Sequence, residues 1–174
     1  RSLTKGYNPD QERDSHGRFG SGDSAPSTGV SEAVQKEAMR YTDINDMSPA
    51  LAQAALDSKT PAPELYRGMM VDGEVFQDLA KQTSVGSEVT LPASSFSASL
   101  EVGQEFASEN SPTYLGDDHS VLFTLEAGAP GLNIEPYADE MWQYQKEWLT
   151  GGKFEVTSQE ISGASMKIGL RSIQ

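Results

Sequence analysis

The spacing of apolar residues changes several times along the chain, and each change predicts an element. From Ser31, which suits an N-cap, the apolar residues Val34, Ala38 and Met39 fall on one face of a helix. A second helix is predicted over residues 49–57. Ser48 caps it, Pro49 takes the first position, where a missing N–H costs nothing, and Leu51, Ala54 and Ala55 form its apolar stripe. Pro61 and Pro63 end it. Residues 65–70 read as a strand and residues 73–82 as a helix with Val75, Phe76 and Leu79 inward, with Gly86 as the breaker behind it. Short strands are expected at 88–91 and 95–99, then a helix near 101–108 that Ser99 can cap.

Residues 110–120 read as loop, 121–125 as the clearest buried strand, 128–131 as a turn and 134–143 as a loop or helical turn. Glu147 then opens a predicted hairpin. Trp148, Leu149 and Thr150 have strand character, Gly151 and Gly152 supply the turn, and Phe154, Val156 and Ser158 alternate with polar residues as the second strand. A last strand is expected at about 166–171. Helices come first and strands mostly last, which predicts an α+β fold rather than a parallel α/β sheet.

A chain of 174 residues suits one domain plus a tail. Residues 1–30 are dense in turn formers and lack apolar periodicity, so they read as a linker or arm ahead of a domain at 31–174. The lack of an initiator methionine reads as a fragment or a processed product. No apolar run approaches the roughly 20 residues of a membrane span, and residues 1–22 are too polar for a signal peptide, so a soluble protein is expected. Without cysteine there is no disulfide, thiolate metal site or thiol nucleophile. The net charge is −13, and residues 31–174 carry the whole excess, with nine basic against 22 acidic groups. Such a surface repels a phosphate backbone, which disfavours duplex nucleic acid and obliges any anionic cofactor to find a local arginine.

Several chemistries drop out by motif. No phosphate-binding loop, no Gly-x-Gly-x-x-Gly behind a strand and no His-Glu-x-x-His is present. The histidines are His16, in the arm, and His119, beside Asp117 and Asp118 in a sequence that reads as a surface turn; no metal is expected. Asp43 to Asp46 lacks the central glycine and terminal glutamate of a calcium loop. What remains is an arginine on a strand (Tyr66-Arg67-Gly68), a serine cluster on a second strand (Ser95-Phe96-Ser97-Ala98-Ser99), and a strand-edge acid (Gln145-Lys146-Glu147-Trp148) behind an aromatic-rich loop with Trp142 and Tyr144. The unremarkable reading of each is a structural ion pair, a solvated serine face and an edge-strand charge.

Taken together, in this order and spacing, the three segments resemble the Arg-Ser-Glu class of mono-ADP-ribosyltransferases, the group of toxins whose Gln-x-Glu members modify acceptors other than arginine. The resemblance spans about residues 31–171. It implies N-terminal helices followed by two packed, mostly antiparallel β-sheets that form an NAD cleft. NAD would be bound as substrate by Arg67, Gly68, Tyr66, Ser97 and Ser99, with Arg67 gripping phosphate oxygens bidentately. Glu147 would stabilise the cationic ribose, oriented by Ser97, although Ala98 stands where the family usually has threonine. Gln145, Trp142 and Tyr144 would meet the acceptor, a protein side chain in preference to a nucleobase, and the enzyme would act as a monomer. With Asn8-Pro9, Arg13-Asp14 and Gly17-Arg18-Phe19, the arm resembles linkers of tailed-phage head proteins, which implies a phage-encoded protein in the host cytoplasm or on the virion. The competing expectations are a guanine ADP-ribosyltransferase, a NAD glycohydrolase and a non-catalytic head accessory module.

Overall fold

The computed structural model describes residues 30–44, 46–111 and 114–173, so the arm expected at residues 1–30 lies, but for Val30, outside them. Two helices lead the domain, α1 (Glu32–Ile44) and α2 (Pro49–Asp57), followed by β1 (Leu65–Val71), α3 (Gly73–Gln82), β2 (Glu88–Ser97) and α4 (Leu100–Phe106). The rest is strand-rich: β3 (His119–Leu125), β4 (Leu132–Asn133), β5 (Glu147–Ser162) and β6 (Ser165–Ser172), with single 3-10 turns at Glu135–Tyr137 and Gln143–Gln145. Among the described residues no helix is long and apolar enough to cross a membrane.

Caps fix where the helices begin. The Ser48 hydroxyl accepts from the Leu51 N–H at 3.2 Å, and the Asp72 carboxylate accepts from the Val75 N–H at 2.8 Å. On α3 the inward face is Phe76 and Leu79, which join the core. Val75, expected beside them, is 43% exposed, because it sits in the first turn about 100° around the helix from Phe76.

The strands run in the order β2-β1-β3-β6-β5-β4, and β2 also pairs with β5. Every pairing is antiparallel except β3 with β6. This is the α+β architecture that the helix-then-strand order implies. Val121, Phe123 and Leu125 of β3 and Met166, Ile168 and Leu170 of β6 fill the centre of the core. Burying each such side chain stabilises by about 1.5–3 kcal/mol.

One expectation fails, and the failure shapes the site. Gly151 and Gly152 do not reverse the chain: β5 runs through them as one strand of 16 residues, and the hairpin to β6 is made at Gly163, with φ +58°. The glycines lie opposite an irregularity in β2 between Leu91 and Ser94. A Cβ on Gly151 would stand 2.8 Å from the Pro92 backbone, so the pair lets two bent strands touch instead of making a turn. Strand β5 therefore changes partners. Its first half pairs with β2 and β4, and its second half with β6.

Strands β1 and β2 meet at one pair, Tyr66 with Ser97. Beyond it β1 follows β3 and β2 follows β5. The two halves of the sheet thus part beside Arg67 and Ser95, next to the start of β5.

Candidate active site

A cleft of about 590 Å³ fills this opening. Arg67, Tyr66 and Gly68 of β1 line one side, Ser95 and Ser97 of β2 the floor, and Glu147 the start of β5; Trp142 and Gln145 approach from the loop before it, and Tyr41 from α1. The three segments singled out by sequence therefore converge. Ser99 and Tyr144 do not line the cleft.

Arg67 lies on the inward face of β1, and its Nη1 donates to the Ser95 carbonyl at 2.9 Å. Its guanidinium stands 6.0 Å from the centre of the Phe96 ring. Burial pulls its pKa below the usual arginine range, yet a guanidinium stays charged through ordinary pH. Among the described residues that line the cleft it is the one cation. Burial also raises the Glu147 carboxyl above the usual glutamate range, while hydrogen bonds from Ser95 and Tyr41 pull it partly back. The Ser95 hydroxyl donates directly to Glu147 Oε1. Tyr41 is 6% exposed, and its phenol is pushed up to about 12, first by burial and then by the charge of Glu147.

The hydroxyl bonded to Glu147 is thus that of Ser95, and the Ser97 hydroxyl has other partners. Ser97 directs its hydroxyl to the Gln145 carbonyl at 2.5 Å and accepts from the Ser99 N–H at 2.9 Å. Its neighbour Ala98 donates its N–H to the Lys146 carbonyl at 3.0 Å, a contact that needs no threonine side chain. Lys146 takes a left-handed conformation, φ 45°, at the bend that delivers Glu147 to the cleft. Ser99, expected at the cofactor, caps α4 by accepting from the Val102 N–H at 3.5 Å. Trp142 is 40% exposed at the rim, and Tyr144 lies outside it with its hydroxyl 3.4 Å from Gln145 Nε2.

Tyr41 belongs to no sequence motif: it continues the helical face of Val34 and Ala38 at the next turn, a spacing that marks it as inward-facing but not as part of a site. The bare Cα of Gly68 is taken up by α4. A Cβ there would lie 1.8 Å from the Gly103 carbonyl oxygen and 2.5 Å from the Ala107 nitrogen, both backbone atoms that cannot swing aside. Gly68→Ala is therefore expected to destabilise the fold by about 1–3 kcal/mol or more, read as a lower Tm. An unchanged Tm would contradict the close seating of α4 on β1. His119 has a structural setting, with Nδ1 2.5 Å from Asp118 Oδ1 and its ring centre 4.7 Å from that of Phe76.

No protein-family model matches this chain, and no curated protein matches it. Solved structures do, and the architecture they define is the ADP-ribosyltransferase fold. The Vis toxin, an ADP-ribosyltransferase from Vibrio splendidus, aligns with a TM-score of 0.52 at 19% identity, over 82% of this chain and 69% of that one. Exoenzyme S from Pseudomonas aeruginosa, in a complex with human 14-3-3 protein beta and carba-NAD, aligns with a TM-score of 0.57 at 12% identity, over 83% of this chain and 75% of that one. The C3 exoenzyme of Clostridium limosum gives 0.52 at 14% identity, over 82% and 85%. At these identities the likeness is one of fold.

Proposed function

We propose that this chain is a mono-ADP-ribosyltransferase that cleaves NAD and transfers ADP-ribose to a protein side chain other than arginine. The observation that carries the reading is the convergence of Arg67 and Glu147, remote in sequence, on one cleft through the single residue Ser95. NAD brings a pyrophosphate and a sugar that becomes cationic. Arg67 offers the fork for the first, and Glu147 the carboxylate for the second.

In this reading the bond between C1′ and nicotinamide breaks with its electron pair leaving on nicotinamide. Glu147 stabilises the oxocarbenium-like ribose as the acceptor attacks C1′ and loses its proton. Tyr66 and Gly68 form the wall beside Arg67. Gln145, two residues before the acid, is neutral and can donate and accept, which suits an amide or hydroxyl acceptor rather than a guanidinium. Vis, by contrast, has been crystallised with agmatine. Trp142 at the rim and exposed Tyr144 offer the acceptor an apolar and stacking surface. The net charge of −13 favours a protein over a nucleic acid acceptor. We infer a monomer, and the arm's resemblance to phage linkers supports a phage-encoded protein acting in the host cytoplasm or from the virion.

The test is to incubate the protein with labelled NAD and bacterial lysate, measure free nicotinamide, and treat the product with protease or nuclease. Nicotinamide release with protease-sensitive label is expected. Label sensitive only to nuclease would move the acceptor to a nucleobase, release without label would leave a NAD glycohydrolase, and no release would overturn the enzyme reading.

A further inference from the structure

If Glu147 is the reacting carboxylate, as proposed above, the groups that hold it decide how well it works. Strand register nominates Ser97, which stands directly opposite Glu147 in the β2–β5 pair. The hydrogen bonds point elsewhere. We infer that Ser95, assisted by Tyr41, is the positioning residue for the Glu147 carboxylate, and that Ser97 instead latches the loop that leads into it.

The division follows from side-chain reach. Residues directly opposed across an antiparallel pair stand about 4.5–5.5 Å apart at Cβ, and diagonal neighbours about 7–8 Å. A glutamate is too long to meet a short serine straight across, but leaning along the strand brings its carboxylate to the diagonal position, which is Ser95. There the Ser95 hydroxyl donates to Oε1 while the Ser95 carbonyl accepts from Arg67 Nη1 at 2.9 Å. One residue therefore sets the carboxylate and the cation relative to each other. Ser97 is already committed at 2.5 Å to the Gln145 carbonyl and at 2.9 Å to the Ser99 N–H. It ties down the last residues of the loop that carries Trp142.

Tyr41 completes the arrangement from α1. It is buried in the lining of the cleft that also holds Ser95 and Glu147, and its phenol is pushed up by that burial and by the charge of Glu147. The Thr42 hydroxyl of α1 donates within its own helix to the Met39 carbonyl at 2.8 Å and lies 3.4 Å from the Tyr137 carbonyl of the same loop. The titratable groups around Glu147 are Tyr41 from α1 and Arg67 and Tyr66 from β1, with exposed Lys146 next to it in the chain. The Tyr66 hydroxyl is engaged with Glu64. Since the hydrogen bonds of Ser95 and Tyr41 pull the carboxyl down against burial, losing either raises it.

Ser95→Ala is expected to lower kcat for nicotinamide release about 10- to 100-fold, with KM for NAD changing far less, and to move the acid limb of the kcat profile to higher pH. Tyr41→Phe moves the limb the same way, and Ser95→Thr, which keeps the hydroxyl, restores it. Ser97→Ala leaves the limb in place and lowers transfer to the acceptor relative to NAD hydrolysis. A carbon-13 titration of the Glu147 carboxyl, assigned by its absence in Glu147→Gln, reads the same order without turnover: higher in Ser95→Ala and Tyr41→Phe, unchanged in Ser97→Ala. A wild-type protein that releases no nicotinamide defeats the enzyme reading, and the titration still decides the positioning. A Glu147 that titrates as in wild type in Ser95→Ala, or is raised in Ser97→Ala, overturns this inference.

Discussion

Exchanging Glu147 for glutamine is expected to cut nicotinamide release by roughly 10²–10³, about 2.7–4 kcal/mol of transition-state stabilisation, and to make the domain more stable at neutral pH. One cause produces both results. The carboxylate is held where burial disfavours its charge, so its folded pKa lies above the ordinary value. Folding then favours the protonated form. The contribution of this group to stability is full below the ordinary glutamate pKa of about 4.3 and is lost as pH rises through the raised folded value. Glutamine carries no charge to bury and escapes that loss. Thermal unfolding should therefore show Glu147→Gln with a higher Tm than wild type at pH 7, and the gap should close below about pH 4. In the proposed reaction the carboxylate is the working form, so wild-type kcat is expected to fall on acidification at a pH above the ordinary glutamate range. Undiminished release by the variant would remove Glu147 from the chemistry. A lower Tm at pH 7 would mean that the hydrogen bonds from Ser95 and Tyr41 outweigh the burial of the charge.

Arg67→Ala is expected to weaken NAD binding by about 2–4 kcal/mol, roughly 30- to 700-fold in Kd. In a chain of net charge −13, the cleft offers a dinucleotide pyrophosphate this one cation among its described lining residues. The guanidinium is held in place by the Ser95 carbonyl and sits over Phe96, so little of its freedom remains to be lost on binding. Arg67→Lys should fall in between, because it keeps the charge but not the planar fork that grips two oxygens. Calorimetry with NAD on variants whose folding is checked by circular dichroism measures the effect. An unchanged Kd for Arg67→Ala would mean that the cofactor is anchored elsewhere.

What the sequence made legible was local. Helix α2 announced itself through Ser48 and Pro49, β3 through its apolar run, and the three candidate segments through residue types that suit one chemistry. What it hid was long-range. Gly151-Gly152 reads as a turn because turn formers usually reverse a chain, and only the approach of the Pro92 backbone shows why glycine is needed there instead. Ser95 and Ser97 are equivalent as alternating serines on one strand face, and the reach of a side chain from β5 separates them. Tyr41 carries no motif and joins the site because α1 packs over it. Gly68 lines the cleft as its neighbours do, but the need for glycine there comes from α4, which seats against its bare side.

In the proposed reaction the opening between β1 and β2 holds NAD with its pyrophosphate at Arg67 and its nicotinamide ribose at Glu147. A crystal structure of the protein with carba-NAD tests this most directly. The expected result is phosphate oxygens within hydrogen-bond distance of both terminal nitrogens of Arg67 and a ribose hydroxyl on the Glu147 carboxylate, with the Ser95 bond to Glu147 retained. Carba-NAD bound at another surface, or lying in the cleft with its nicotinamide end turned away from Glu147, would contradict it.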